Sequence, residues 1–143
     1  MIYTYAYPRP AVTADIIVFK PDENKILLIE RKNEPFKNMW ALPGGFVDID
    51  EEVENSAYRE LQEETSIQDI KLFQFRAYGK VDRDPRGRTI SIVYYGLLKN
   101  TSQTVRAGDD AKNIQWHSLE NLPQLGFDHN EIIHDFIEYK KSS

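Results

Sequence analysis

"GGFVDIDEEVENSAYRELQEETSI", residues 44–67, is the stretch on which the reading of this chain turns. It opens on a Gly pair, continues into a helix-forming segment over about residues 51–65, and gathers Glu60, Glu63 and Glu64 near its end. At about 100° per residue these three carboxylates share an arc of roughly 100°. Val53, Ala57 and Leu61 form the apolar stripe beside that arc, so the carboxylates lie on or next to the face that turns inward. They also occupy the last turns of the helix, where the macrodipole disfavours anions. A charged surface helix with Arg59 and Glu63 as an i, i+4 pair is the plain alternative. It explains neither the inward placement nor the crowding at the unfavourable end of the dipole. A bound divalent cation resolves both. Hard oxygen ligands clustered this tightly suit Mg²⁺ or Mn²⁺. Mg²⁺ usually takes substrate phosphates as further ligands, which points to a phosphate-bearing substrate.

Bulk properties narrow the field. The 143 residues fit one compact domain, residues 1–143, and 41% hydrophobic with 12% aromatic residues supply a core. The net charge of −5 argues against a nucleic-acid or anionic-membrane partner, because phosphate neutralisation needs a basic surface. A small anionic substrate remains compatible if a metal or a local Arg cluster offsets the charge. No cysteine is present, which excludes disulfides, thiolate catalysis and Cys-based zinc sites. "MIYTYAYPRP" lacks the pattern of a signal peptide. No apolar run approaches the roughly 18 residues of a membrane helix. A cytoplasmic location is expected.

Around the acidic segment the pattern is mixed α/β. "AVTADIIVF" (11–19) and "ILLIE" (26–30) read as strands joined by the turn "KPDENK", hence as a hairpin. "PFKNMWALPGG" (35–45) reads as irregular. "LFQFRAYGKV" (72–81) and "TISIVYYGLL" (89–98) read as strands around "DRDPRGR" (82–88), where Pro85 and Gly87 suit a tight turn. "AGDDAKN" (107–113) is a loop before a short strand, "IQWHS". "DHNE" (128–131) has capping-box spacing, with Asp128 and Glu131 as the reciprocal pair. Ile132, Ile133, Phe136 and Ile137 then give a terminal amphipathic helix.

Residues 45–67 resemble the Nudix box, G-x5-E-x7-R-E-U-x-E-E-x-G-U, with U a bulky aliphatic residue. Gly45 opens it, Glu51 follows, and Arg59, Glu60, Leu61, Glu63, Glu64 and Ile67 occupy the remaining specified positions; Ser66 stands where the family has Gly. The resemblance implies the Nudix fold, an α/β/α sandwich with a mixed sheet and flanking helices. It implies that Glu60, Glu63 and Glu64 bind catalytic Mg²⁺ (or Mn²⁺), that Gly45, or Gly44 beside it, offers a backbone carbonyl, and that Glu51 and Arg59 support them. Arg59 would orient a catalytic glutamate. A carboxylate positions or deprotonates the attacking water; Glu64 and the pair Asp109 and Asp110 are the candidates, with Asp110 alongside Glu63, Glu64 and Arg59 as the catalytic set. Ser66 just past the helix end implies a left-handed residue at a cost of about 1 kcal/mol.

"YGKVDRDPRGRTISIVYYG" (78–96) and "RPAVTADIIVF" resemble the ADP-ribose pyrophosphatases within this superfamily. The same pattern occurs in the Nudix domain of related transcriptional regulators, which carry a winged-helix module after it; with the chain ending at Ser143, that module is not expected. Arg83, Arg86 and Arg88 form a basic turn able to approach a diphosphate or the terminal ribose, or simply a solvated turn. Arg31 is a similar candidate for a phosphate. Tyr5, Tyr7, Phe46 and Phe127 could stack on adenine. His129 reads first as a helix-terminus residue and second as a substrate contact. Three functions stand: a Mg²⁺-dependent ADP-ribose pyrophosphatase, a nucleoside triphosphate pyrophosphohydrolase (oxidised nucleotides included), and a non-catalytic domain sensing a nucleotide sugar. Retention of all three box carboxylates favours catalysis, and residues 78–96 favour ADP-ribose. By resemblance a homodimer is expected, with "YTYAYP" in the interface.

Overall fold

The densest apolar run of the sequence becomes the central strand. β1 (Ala11–Lys20) is buried on both of its faces from Thr13 to Phe19, as an interior strand between two helical layers must be. The computed structural model describes residues 2–99 and 105–142. Strand alternation sends Ala14, Ile16 and Val18 to one side and Ile17 and Phe19 to the other. On the first side they meet Ala57 and Leu61 of α1 (Val53–Thr65); on the second they meet Ile132, Ile133 and Phe136 of α2 (His129–Lys141). β2 (Lys25–Arg31) splits likewise, Leu27 toward α1 and Ile26 and Leu28 toward α2. The result is an α/β/α sandwich.

The remaining strands are β3 (Trp40–Ala41), β4 (Gly44–Phe46), β5 (Phe73–Tyr78), β6 (Thr89–Leu97) and β7 (Ala111–Ser118). The sheet runs β3-β2-β1-β6-β5, with β4 also pairing β1 and β7 also pairing β2. It is mixed: β1 and β6 are parallel from Ala11↔Thr89 to Phe19↔Leu97, and the other pairings are antiparallel.

Four local expectations need correction. The 11–19/26–30 hairpin pairs only at its closed end, Phe19↔Ile26 and Lys20↔Lys25. Beyond it the two strands separate, and β4 pairs the first half of β1 through Thr13, Ala14 and Asp15. Residues 35–45 therefore contain two short strands rather than an irregular passage. The α1 helix begins at Val53, two residues later than the pattern suggested. Finally, Asp128 makes no capping hydrogen bond. Its carboxylate is occupied by Arg83, whose Nε and Nη2 donate at 2.9 and 2.6 Å. A buried guanidinium is the stronger claimant, because charge-assisted bidentate bonds exceed a neutral amide contact.

Candidate active site

The acidic arc faces the sheet at the C-terminal end of α1. Glu64 is buried, Glu60 is half-buried and Glu63 is exposed, so the three carboxylates stand at graded depth. No basic residue occupies the last turn to offset them. Ser66 closes the helix in the left-handed region at φ 69°, with its N–H donating to the Gln62 carbonyl at 2.8 Å, as its place in the pattern implied. β4 lies directly beneath: a side chain at Gly45 would collide with the Glu60 carboxylate. Glycine there is what allows backbone and carboxylate to meet.

Arg59 organises the arc. Its Nε and Nη2 donate to the two oxygens of Glu51, both at 2.8 Å. Its Nη1 donates to Glu60 at 2.7 Å and to Glu63 at 3.2 Å, and Nη2 reaches the Phe46 carbonyl at 3.3 Å. The bonds from Arg59, then from Ser56, bring the Glu51 carboxyl down to about 2. Burial pushes Glu60 up. Glu64 is pushed up to about 8, first by burial and then by the neighbouring charges of Glu60 and Asp110. Its Oε2 is buried without a hydrogen-bond partner.

The loop before β7 closes this end. Arg106 N–H donates to the Thr65 carbonyl at 2.9 Å and Gly108 N–H to the Glu64 carbonyl at 3.0 Å. Glycine is required at 108, where any side chain would strike the Glu63 carbonyl. These two bonds cap the helix carbonyls and bring Asp109 and Asp110 beside Glu60, Glu63 and Glu64.

Away from the arc the surface opens into a cleft of about 480 Å³, within the usual range for a small-molecule site. Glu60, Glu64, Gly44, Gly45 and Asp110 form its acidic end; Arg31, Arg83, Arg86, Phe46 and Phe127 line the remainder. Arg86 is held by both oxygens of Asp84, with Nη2 at 2.7 Å. Its guanidinium lies 4.8 Å from the Phe46 ring centre and 5.3 Å from that of Phe127. Arg31 donates to the Pro35 carbonyl at 2.6 Å and sits 5.0 Å from the same Phe127 ring. The cleft thus pairs cations with aromatic faces next to a cluster of carboxylates.

Comparisons with known proteins identify the family. The family described as NUDIX domain matches residues 9–136. The chain belongs to the NUDIX family. An ADP-ribose pyrophosphatase of Methanocaldococcus jannaschii is 48% identical over 134 residues, 94% of this chain and 77% of that protein. An ADPR responsive transcriptional repressor of Acinetobacter baylyi is 37% identical; the match covers 89% of this chain but 53% of the repressor. Among solved structures, the NUDIX domain of Shewanella oneidensis NrtR complexed with ADP ribose superposes with a TM-score of 0.86 at 30% identity, covering 94% of this chain and 90% of that one.

Within this Nudix frame the residues singled out from sequence separate into groups. Gly45, Glu60, Glu64, Asp110, Arg31, Arg83, Arg86 and Phe46 border the cleft. Glu63 borders the acidic recess next to it, and Arg59 reaches both carboxylates from outside. Arg88 is exposed immediately before β6, its carbonyl accepting from Ala11 N–H, and lies outside the cleft lining. Tyr5 and Tyr7 also lie outside it, whereas Phe127 is inside. Arg83 is buried and committed to Asp128, so it serves the cleft by charge rather than as a free fork.

The sequence reading passed over Asp15 and Asp84. Asp15 accepts from Thr13 Oγ1 at 3.0 Å and from Ser91 Oγ by a short bond. A lone carboxylate inside "AVTADIIVF" was the available signal, because a charge in a strand buried on both faces needs partners. Among the described residues no three His, Asp or Glu side chains converge as a ready metal-binding set; Arg59 holds two of the expected members.

Proposed function

We propose that this chain is a divalent-metal-dependent Nudix pyrophosphohydrolase that cleaves ADP-ribose to AMP and ribose 5-phosphate. One observation carries the reading: the Glu64 carboxylate, its Oε2 buried and unpartnered, stands where an acidic arc meets a cleft lined by arginines and aromatic rings. A buried carboxylate beside like charges is costly unless a cation joins it, so these residues fit the group that the resemblance implies. Glu60, Glu63, Glu64 and the Gly45 carbonyl would hold Mg²⁺ or Mn²⁺, with Glu60 and Glu63 turning from Arg59 to do so. When bound, the cation supplies charge neutralisation at the pyrophosphate oxygens.

The chain's own groups account for the rest. Arg31 and Arg86 bind the phosphates, and Phe46 and Phe127 offer faces for the adenine ring. Water oxygen adds to one phosphorus as the bond from that phosphorus to the bridging oxygen breaks. Glu64 or Asp110 takes the water proton. Arg59 positions Glu51, Glu60 and Glu63. The 48% identity to a pyrophosphatase of this substrate supports the choice of ADP-ribose. The likeness to a repressor that responds to ADP-ribose supports the same ligand and motivates a second reading, a sensor that binds without turnover.

The reading includes a cytoplasmic homodimer without nucleic-acid or membrane partners. The exposed Tyr3, Tyr5 and Tyr7 are available for the interface, and a solution mass of one chain would refute it. Among the described residues no helix is long and apolar enough to cross a membrane.

Hydrolysis of a substrate panel tests the function: ADP-ribose, NADH, dinucleoside polyphosphates, and ordinary and oxidised nucleoside triphosphates, with Glu64→Gln as the blank. Mg²⁺-dependent release of AMP from ADP-ribose is the expected result. Preference for a triphosphate would replace the substrate. Tight ADP-ribose binding without turnover would move the chain to the sensor class.

A further inference from the structure

His129, the first residue of α2, is 3% exposed and borders the cleft. The Leu42 backbone N–H donates to its Nδ1 at 3.0 Å, across 87 positions of sequence. That bond determines the state of the ring. A backbone amide can only donate, so Nδ1 must be the bare nitrogen, and the single proton of a neutral imidazole then sits on Nε2. Turning the ring over would put a carbon against the Leu42 amide and leave that amide unpaired in a buried segment. Protonating the ring would set two N–H groups against each other.

The Nε2–H has no protein acceptor among the described residues. It differs in this from the ring of His117, whose unpartnered Nε2 is sealed away from solvent. At His129 the remaining surface opens on the cleft, with Asp15, Asp128, Arg83 and Arg31 as its charged neighbours. An N–H that opens only on the cleft is satisfied there by water or by an acceptor oxygen of a ligand. From this geometry we propose that His129 is a substrate-binding residue, a neutral donor through Nε2–H to an acceptor oxygen of a nucleoside diphosphate derivative. The inference rests on the nucleotide-cleaving reading above and adds a recognition group to it. The arginines bring charge to the phosphates with broad angular tolerance. A neutral, rotationally locked N–H instead selects an oxygen at one place.

The two roles of the ring separate by substitution. His129→Asn places an amide oxygen where Nδ1 was, so Leu42 keeps its acceptor while the donor at the far position is lost. His129→Gln keeps a donor at the far position and loses the near acceptor. Binding of ADP-ribose and of ADP would be measured calorimetrically in EDTA, which blocks turnover. The expected result is a melting temperature near wild type and roughly 10-fold or more weaker binding for His129→Asn, and lower melting with better retained affinity for His129→Gln. Equal weakening for both ligands assigns the oxygen to the ADP portion; weakening for ADP-ribose alone assigns it to the terminal ribose. Unchanged affinity of folded His129→Asn for both ligands overturns the proposal. Failure of the wild-type protein to bind ADP-ribose with or without a divalent cation would instead remove the functional reading, and this inference with it. Should His129→Asn not fold, the ¹⁵N spectrum of the wild-type imidazole carries the test. It should show Nε2 protonated in the free protein and perturbed by ligand, with Nδ1 unmoved. A proton on Nδ1, or no response at Nε2, overturns the proposal.

Discussion

Arg59 serves Glu51, Glu60, Glu63 and the Phe46 carbonyl at once, so a single side chain sets where the box carboxylates point. A lysine cannot reproduce the fork that grips both oxygens of Glu51. Arg59→Lys should therefore lower turnover and Mg²⁺ affinity about 10- to 100-fold, the usual effect of losing an outer partner of a metal site; titrating activity against Mg²⁺ measures it. Glu64→Gln keeps the size of the side chain and removes its charge. It should reduce kcat by about 10²- to 10⁴-fold with an unchanged circular dichroism spectrum, and near-full activity would refute the role given to Glu64. The box was readable from sequence at this scale because its groups fall within one helix and the segment leading into it. Helical period alone then says which of them share a face. Period did not tell that Glu63 is exposed while Glu64 is buried; the loop packed at Gly108 and the strand beneath decide that.

Between elements, the Arg83–Asp128 pair ties the 82–88 turn to the start of α2. Both side chains are largely buried, 3% and 13% exposed. Removing one partner of such a pair leaves the other charge stranded, so Asp128→Asn or Arg83→Met should cost about 3–5 kcal/mol in denaturant unfolding. Arg83→Met combined with Asp128→Leu should recover much of that loss, as replacement by apolar side chains does in other buried pairs. At the other helix, Ser66 sits in the left-handed region. Ser66→Gly should stabilise the protein by up to about 1 kcal/mol, the relief of that strain less the entropy of glycine; a shift in the denaturation midpoint at constant slope is the readout. The turn was visible in Pro85 and Gly87, yet its arginines read either as a substrate-facing cluster or as a solvated turn. Only the fold shows that one of them is spent on α2, one is braced by Asp84 and one lies outside the cleft.

For the molecule as a whole, stability toward acid depends on groups held away from their ordinary protonation. Burial lowers the His129 pKa. Its folded value lies below the unfolded value of about 6.5, so its contribution is complete above that pH and is lost as pH falls toward the folded value. His129→Asn should therefore flatten the loss of melting temperature on acidification from about pH 6.5 to 5. An unchanged slope would refute the assignment of a neutral buried ring. Glu51, held down by Arg59 and Ser56, adds a second loss between its ordinary range and about pH 2, which Glu51→Gln should remove.

The sequence by itself determined the mixed α/β class of the fold and the acidic helix with its three carboxylates on one arc. These features are local: each depends on periodicity or on spacing within some two dozen residues. Tertiary structure decided the parallel pairing of β1 with β6, the short strands β3 and β4, the bond of Ser91 to Asp15 and that of Leu42 to His129. Two- and three-residue strands exist only because a neighbouring strand supplies their hydrogen bonds. A hydrogen bond spanning 76 or 87 positions leaves no periodic trace in the chain. The helix can be read in advance because its partners are four residues away; the cleft cannot, because its walls meet only after the sheet has closed.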